Sequence, residues 1–304
     1  METKGLFPTY HPAICMIFFI AAVAFSFSST HPVYVAISAF MAIVYLVYLK
    51  GVRGAARSLL FAIPFILFIA LLNFLFSSSG ATALAHLFSI SIDVPTPFGT
   101  YPFKWSLKVT VEGLCYGLAM GGMLTSVILW FGCYNEVMTD DKFTYLFGKF
   151  LPTLALVVSM VSRWVPHMVV RGRRIYDSQE ALIGGYDPSK KALVGRGIRM
   201  ATVLAGLGME DSIQTSDSMR ARGFGTAKRT TYARYPWHAR EYAVLVLLVL
   251  LIAVNIVGLY LGTKDFTYYP RVSAVQPWWG YITYLLLLSV PFLTELEGAY
   301  HALR

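Results

Sequence analysis

The sequence predicts an all-α protein, a polytopic helical membrane protein with about six transmembrane helices and a pair of long cytoplasmic helices. Three observations lead there. Of 304 residues, 57% are hydrophobic and only 13% charged, about half the charge of an ordinary soluble domain. The mean hydropathy is +0.60, and the apolar residues gather in runs near the ~20 needed to cross a bilayer. The basic residues instead collect in one stretch in the middle of the chain.

The apolar runs are Ala13–Phe27, Val33–Leu49, Leu59–Phe76, Val109–Cys133, Tyr242–Leu261 and Trp278–Leu293. The first is short and is followed by Ser/Thr and His31-Pro32, which reads as a helical hairpin with the second. An A-x-A-like site at Ala22–Ala24 lies inside the run, which argues against a cleavable signal peptide. Pro64 frees a backbone carbonyl in the third run, tolerated where neighbouring helices satisfy it. Between the third and fourth runs, Ser77–Lys108 carries PTPFGTYPF, a rigid connector or an interfacial cap. Cys15, Cys115 and Cys133 all fall in apolar runs with no CxxC pair, so neither a disulfide framework nor a zinc site is indicated.

Six spans with both ends in the cytoplasm put every one of the 25 Lys/Arg inside except Lys104, Lys108, Lys264 and Arg271. The short loop Lys50–Arg57, which carries the most weight under the positive-inside rule, is basic. The chain then divides into transmembrane helices over 1–133, a cytoplasmic region over 134–240 and transmembrane helices over 241–304.

The cytoplasmic region holds sixteen basic and nine acidic residues and is too rich in apolar residues for a flexible linker. Its first part, FLPTLALVVSMVSRWVPHMVV (Phe150–Val170), is nearly apolar enough to span. Arg163, His167, Pro152 and Pro166 favour a helix lying at the interface or packed under the spans, with a further pair of spans as the alternative. Arg171, Arg173 and Arg174 follow, and Gly184-Gly185 with Pro188 ends this helix. A second helix over Ile198–Arg222 closes at Gly223. Its end, DSMRARGFGTAKR (Asp217–Arg229), sets four basic residues around two glycines. Laid forty residues apart, DSQEALIGG and DSMRARGFG match at Asp177/Asp217, Ser178/Ser218, Ala181/Ala221 and Gly185/Gly225, which suggests two similar elements with two similar docking sites. An arginine near a helix C-terminus is favoured by the macrodipole. Small flanking residues such as Ala221 and Gly223 would also let Arg222 enter a narrow groove and pair with carboxylates there.

Four segments in order resemble the transmembrane (T) component of energy-coupling factor transporters, the scaffold subunit of vitamin or metal-ion importers. Met219-Arg220-Ala221-Arg222-Gly223 resembles the family's second Ala-Arg-Gly signature, and Arg163-Trp164-Val165-Pro166 its Arg-x-x-Pro segment. Leu72-Asn73-Phe74-Leu75-Phe76 and Thr110-Val111-Glu112-Gly113-Leu114-Cys115-Tyr116-Gly117 resemble its membrane-domain signatures. The resemblance runs from about His31 to Gly225. It implies that the two cytoplasmic helices are coupling helices whose ends dock on two ABC-type ATPase subunits: Arg220, Ala221, Arg222 and Gly223 at one end, Ala181, Leu182 and Ile183 at the other, with Arg163 and Pro166 as support. It further implies a small membrane-embedded substrate-binding (S) component as partner, a prokaryotic cell membrane as location, and no catalysis here. ATP and Mg would belong to the partner ATPases, and this chain would bind no cofactor or metal. Two departures stand out. Ala181-Leu182-Ile183 occupies the place of the first Ala-Arg-Gly, so the two ATPase contacts are expected to be unequal. Arg220 stands where the family often has glutamate.

Two other classes compete. A membrane-embedded enzyme would draw on Asn73, His86, Glu112, Asn255, Glu295 or Glu297, but there is no HExxH, GxSxG or paired His/Cys set. A stand-alone transporter or channel would want charged residues along a midplane path or inverted repeats, and the runs are nearly charge-free. No aromatic-interleaved basic patch points to nucleic acid; contact with the lipid bilayer fits the basic cytoplasmic face.

Overall fold

The computed structural model describes residues 7–76, 83–96, 99–148, 151–183, 190–226, 235–264, 266–270 and 272–302. A single 3₁₀ turn (Phe7–Thr9) leads into α1 (Pro12–Ser28) and α2 (Pro32–Phe76). Strands β1 (Ala83–Thr96) and β2 (Gly99–Thr110) precede α3 (Val111–Val137), α4 (Asp140–Gly148), α5 (Pro152–Ile183) and α6 (Lys190–Ala221). The chain then continues through α7 (Ala239–Thr263) and α8 (Trp279–Ala302). This is a helical membrane protein, as the composition requires. By length and composition α2, α3, α5 and α7 can each cross a bilayer, whereas α1 has 17 residues.

Two sequence expectations need correction. The second and third apolar runs are not separated by an irregular loop. Both lie in α2, which is helical on either side of a kink at Gly51 (φ 73°, ψ 169°). That conformation belongs almost solely to glycine, so one residue reverses the helix direction where a loop was expected. The second concerns the connection between the third and fourth runs, in a chain that is otherwise helical. The long connection after α2 pairs as an antiparallel hairpin, Thr96 opposite Gly99 and Ala83 opposite Thr110, with irregular register near Ala85 and His86. Phe, Ile, Val and Thr in β1 and Thr, Tyr, Phe, Trp and Val in β2 suit a pleated backbone.

The chain forms two compact units, one of Met1–Thr139 with Pro236–Arg304 and one of Asp140–Tyr235. In the first, α1 is the most enclosed helix, with Ile14, Cys15, Phe18, Phe19 and Ala22 packed among Tyr45, Trp130, Leu248 and Leu287. A polar thread runs through this apolar core. Ser26 Oγ lies 2.6 Å from Ser38 Oγ and 3.3 Å from Tyr284 Oη, while Trp130 Nε1 donates to Ser38 Oγ at 3.1 Å. With no water in hydrocarbon, such groups must satisfy one another, and doing so registers α1, α2, α3 and α8. Helix α3 presents glycines to α2. A Cβ on Gly117 would stand 3.0 Å from Ala70 Cα, and one on Gly121 3.0 Å from the Ile66 carbonyl oxygen. The two backbones therefore touch along this seam, the small-residue packing of membrane helices.

Polar side chains elsewhere in this unit serve helix joints. Asn255 Nδ2 donates to the carbonyls of Leu251 (2.8 Å) and Thr283 (3.1 Å), tying α7 to α8. Buried Glu241 accepts the His11 N–H at 3.0 Å and, with its other oxygen, the His238 N–H at the start of α7 at 3.2 Å. Glu295 on α8 accepts the Phe7 N–H at 3.0 Å. The short segment before α1 is thus held by carboxylates of the last two helices. Between α1 and α2, buried His31 accepts the Val33 N–H on Nδ1 at 3.3 Å, and its Nε2 lies 3.2 Å from Tyr281 Oη. Burial lowers its pKa from the ordinary 6.5.

Candidate functional site

The second unit is built on two 32-residue helices. Proline suits the first turn of a helix, where Pro152 stands. Helix α5 runs from Pro152 through Pro166 to Ile183 without ending, so the apolar segment and the arginine-rich segment after it are continuous. Helix α6 begins at Lys190, earlier than the expected Ile198, and ends at Ala221.

These helices meet at glycines. A Cβ on Gly208 would stand 3.0 Å from Trp164 Cζ2, and one on Gly172 would stand 3.3 Å from Leu204 Cδ1. Beside this contact, Arg171 Nη1 donates to Asp211 Oδ2, an ion pair from α5 to α6. Met168 is buried in the same region. The crossing leaves an open apolar cleft of ≈ 530 Å³ lined by Trp164, Val169, Tyr176, Met200 and Leu204. Arg163 and Pro166 are exposed, on the outside of α5, while the neighbouring Trp164 and Met168 make the helix contact.

The end of α6 is closed by its own backbone. Gly223 has φ +75°, a left-handed conformation that suits glycine. Its N–H reaches the Arg220 carbonyl at 2.9 Å, and the Phe224 N–H reaches the Met219 carbonyl at 3.0 Å. These two bonds define a Schellman cap. The Arg222 N–H bonds the Ser218 carbonyl at 3.1 Å, and Thr226 donates to the Gly223 carbonyl from both N–H (3.1 Å) and Oγ1 (2.7 Å). Gly225, at φ +90°, continues the turn.

The carbonyls of Ser218, Met219 and Arg220 are therefore satisfied by backbone donors. Arg220 and Arg222 are exposed, and neither makes an ion pair or side-chain hydrogen bond among the described residues. The macrodipole still favours them there, but the cap does not use them. A fixed backbone turn thus carries unengaged guanidinium groups, with Ala221 beside them adding little bulk. Phe224, 57% exposed, stands two residues beyond Arg222. The sequence reading passed over Phe224; its signal was a large apolar residue between two glycines in a polar run.

At the end of α5, Ala181 is exposed and Leu182 is 85% exposed, an extreme for a leucine in a helical last turn. Ile183 closes the helix, and Gly184 and Gly185, expected to end it, lie outside the described residues. The two ends therefore differ chemically, cationic on α6 and apolar on α5.

Among the described candidate enzyme residues, three make bonds that hold helices. Asn73 donates to the Ile69 carbonyl one turn back in its own helix at 3.1 Å, while Asn255 and Glu295 hold the joints described above. Glu112 is buried in the first turn of α3, and the side chains of His86 and Glu297 lie outside the described residues. Among the described residues no group of three or more His, Cys, Asp or Glu could hold a metal ion. No family model and no curated protein matches the chain.

Proposed function

We propose that the chain is the transmembrane scaffold of an energy-coupling factor importer. It would couple ATP hydrolysis by two ABC-type ATPase subunits to reorientation of a small membrane-embedded S component during vitamin or metal-ion uptake. The observation that carries the proposal is the end of α6, where a backbone-closed cap leaves Arg222 exposed and without an ion pair among the described residues. The crossing of α5 and α6 at Gly208–Trp164 and Arg171–Asp211 supports it, because a pinned crossing transmits a push on either helix to the other. The resemblance of the four ordered segments adds the identity of the partners. ATP and Mg are assigned to those partners, and the chain itself is assigned no catalytic role.

The test is co-expression of the tagged chain with the ATPases and S proteins of its source, followed by isolation in mild detergent. Recovery of ATPase subunits together with a small apolar protein supports the scaffold role. Recovery of the chain alone, from a preparation shown to be folded, overturns it in favour of a stand-alone transporter.

A further inference from the structure

The second half of α2, residues 52–76, has two unlike faces. Ala55, Ala62, Ile66 and Ala70 recur at helical spacing; the three alanines are buried, and the seam with α3 runs along Ile66 and Ala70. Nearly opposite them on the helix, at positions i, i+4, i+8, i+11 and i+15, lie Arg53, Arg57, Phe61, Pro64 and Phe68. All five are exposed, Phe61 at 79%. The stripe therefore begins with two guanidinium groups one turn apart and continues as apolar surface for about three turns.

Among the described residues the two arginines have no partner that explains them. Lys50, the third cation of this turn, pairs with Glu136 at 3.4 Å. Arg53 and Arg57 make no ion pair or side-chain hydrogen bond among the described residues. They also occupy the first turns after the Gly51 kink, where the helix dipole disfavours cations. Two apolar runs flank this short turn, which puts it at a membrane surface. At that level the available anion is a lipid phosphate, and guanidinium offers it paired donors.

We propose that this stripe is a binding site for one anionic phospholipid, its phosphate held by Arg53 and Arg57 and an acyl chain lying along Phe61, Pro64 and Phe68. Charge complementarity selects the headgroup, and the continuous exposed apolar track selects a lipid over a soluble anion. The proposal is independent of the transport role.

Native mass spectrometry of the full chain in detergent, titrated with phosphatidylglycerol or phosphatidylcholine, tests it. One phosphatidylglycerol is expected to be retained in preference to phosphatidylcholine. R53Q/R57Q should weaken that binding roughly 30-fold, from about 1 kcal/mol per cation near a lipid surface. R53K/R57K should keep most of the preference, and Phe61→Ser should shorten retention of the lipid. Equal retention of the two lipids, or undiminished binding by R53Q/R57Q, overturns the proposal. Displacement of the lipid by excess inorganic phosphate overturns the acyl track. Should R53Q/R57Q fail to fold, the headgroup comparison on the wild-type chain and the Phe61→Ser variant decide.

Discussion

At Arg222 and Gly223, neighbouring residues have separable jobs. The glycine closes the helix and the arginine faces outward, so their substitutions should differ in kind. On the proposed scaffold role, Arg222→Glu should leave thermal stability in detergent unchanged yet remove ATPase co-purification, a loss of about 2 kcal/mol or more were the arginine an interface anchor. Gly223→Ala puts a Cβ on a φ of +75° and should cost the cap about 1–2 kcal/mol, read as faster protease cleavage around Phe224. Leu182→Ala should weaken ATPase recovery only modestly, because it trims an apolar contact without reversing a charge. His31 offers a pH test in the membrane unit. Its folded-state pKa is lowered by burial, so its contribution is complete above the ordinary 6.5 and declines as pH falls below that value. Asn at this position keeps an acceptor for the Val33 N–H but does not titrate. Between pH 7.5 and 5.5 the melting temperature of wild type should therefore fall more steeply than that of His31→Asn.

The helices show which features a sequence displays and which it conceals. Gly117 and Gly121 seat α3 on the backbone of α2, so Gly117→Leu should force the seam apart and cost about 1–3 kcal/mol, read as a lower melting temperature. Gly206 on α6 has open space around it, so Gly206→Ala should instead raise α6 stability by about 0.5–1 kcal/mol, measured by the helical circular-dichroism melt. The apolar runs and the stop at Gly223 were legible, because burial in lipid demands long apolar stretches and a left-handed cap demands glycine. The course of the chain between runs was not. Residues 50–57 read as a loop from their charges, yet all but Gly51 continue as helix. The expected start of α6 at Ile198 followed the apolar spacing, whereas the helix takes in the polar residues from Lys190 as well. The prolines of the outer connection masked the strand-forming residues around them. Likewise the Arg171–Asp211 pair joins positions forty residues apart, which no local pattern marks.

For the whole molecule, the chain forms two compact units, one rich in apolar helices and one built on two long helices whose ends differ in chemistry. The exposed features of the second unit, Arg222, Phe224 and Leu182, were only partly legible, since exposure is a property of the folded helix end and not of the residue type. In the first unit, the Phe7 and His11 amides bond carboxylates 288 and 230 residues further on. A ribosome delivers those amides long before α7 and α8 exist. Until then α1 must wait in the membrane with its leading segment undocked and the carboxylates that will hold it not yet made. The order of synthesis and the order of closure therefore run opposite ways, and a segment made well ahead of α7 and α8 is among the last to be locked in place.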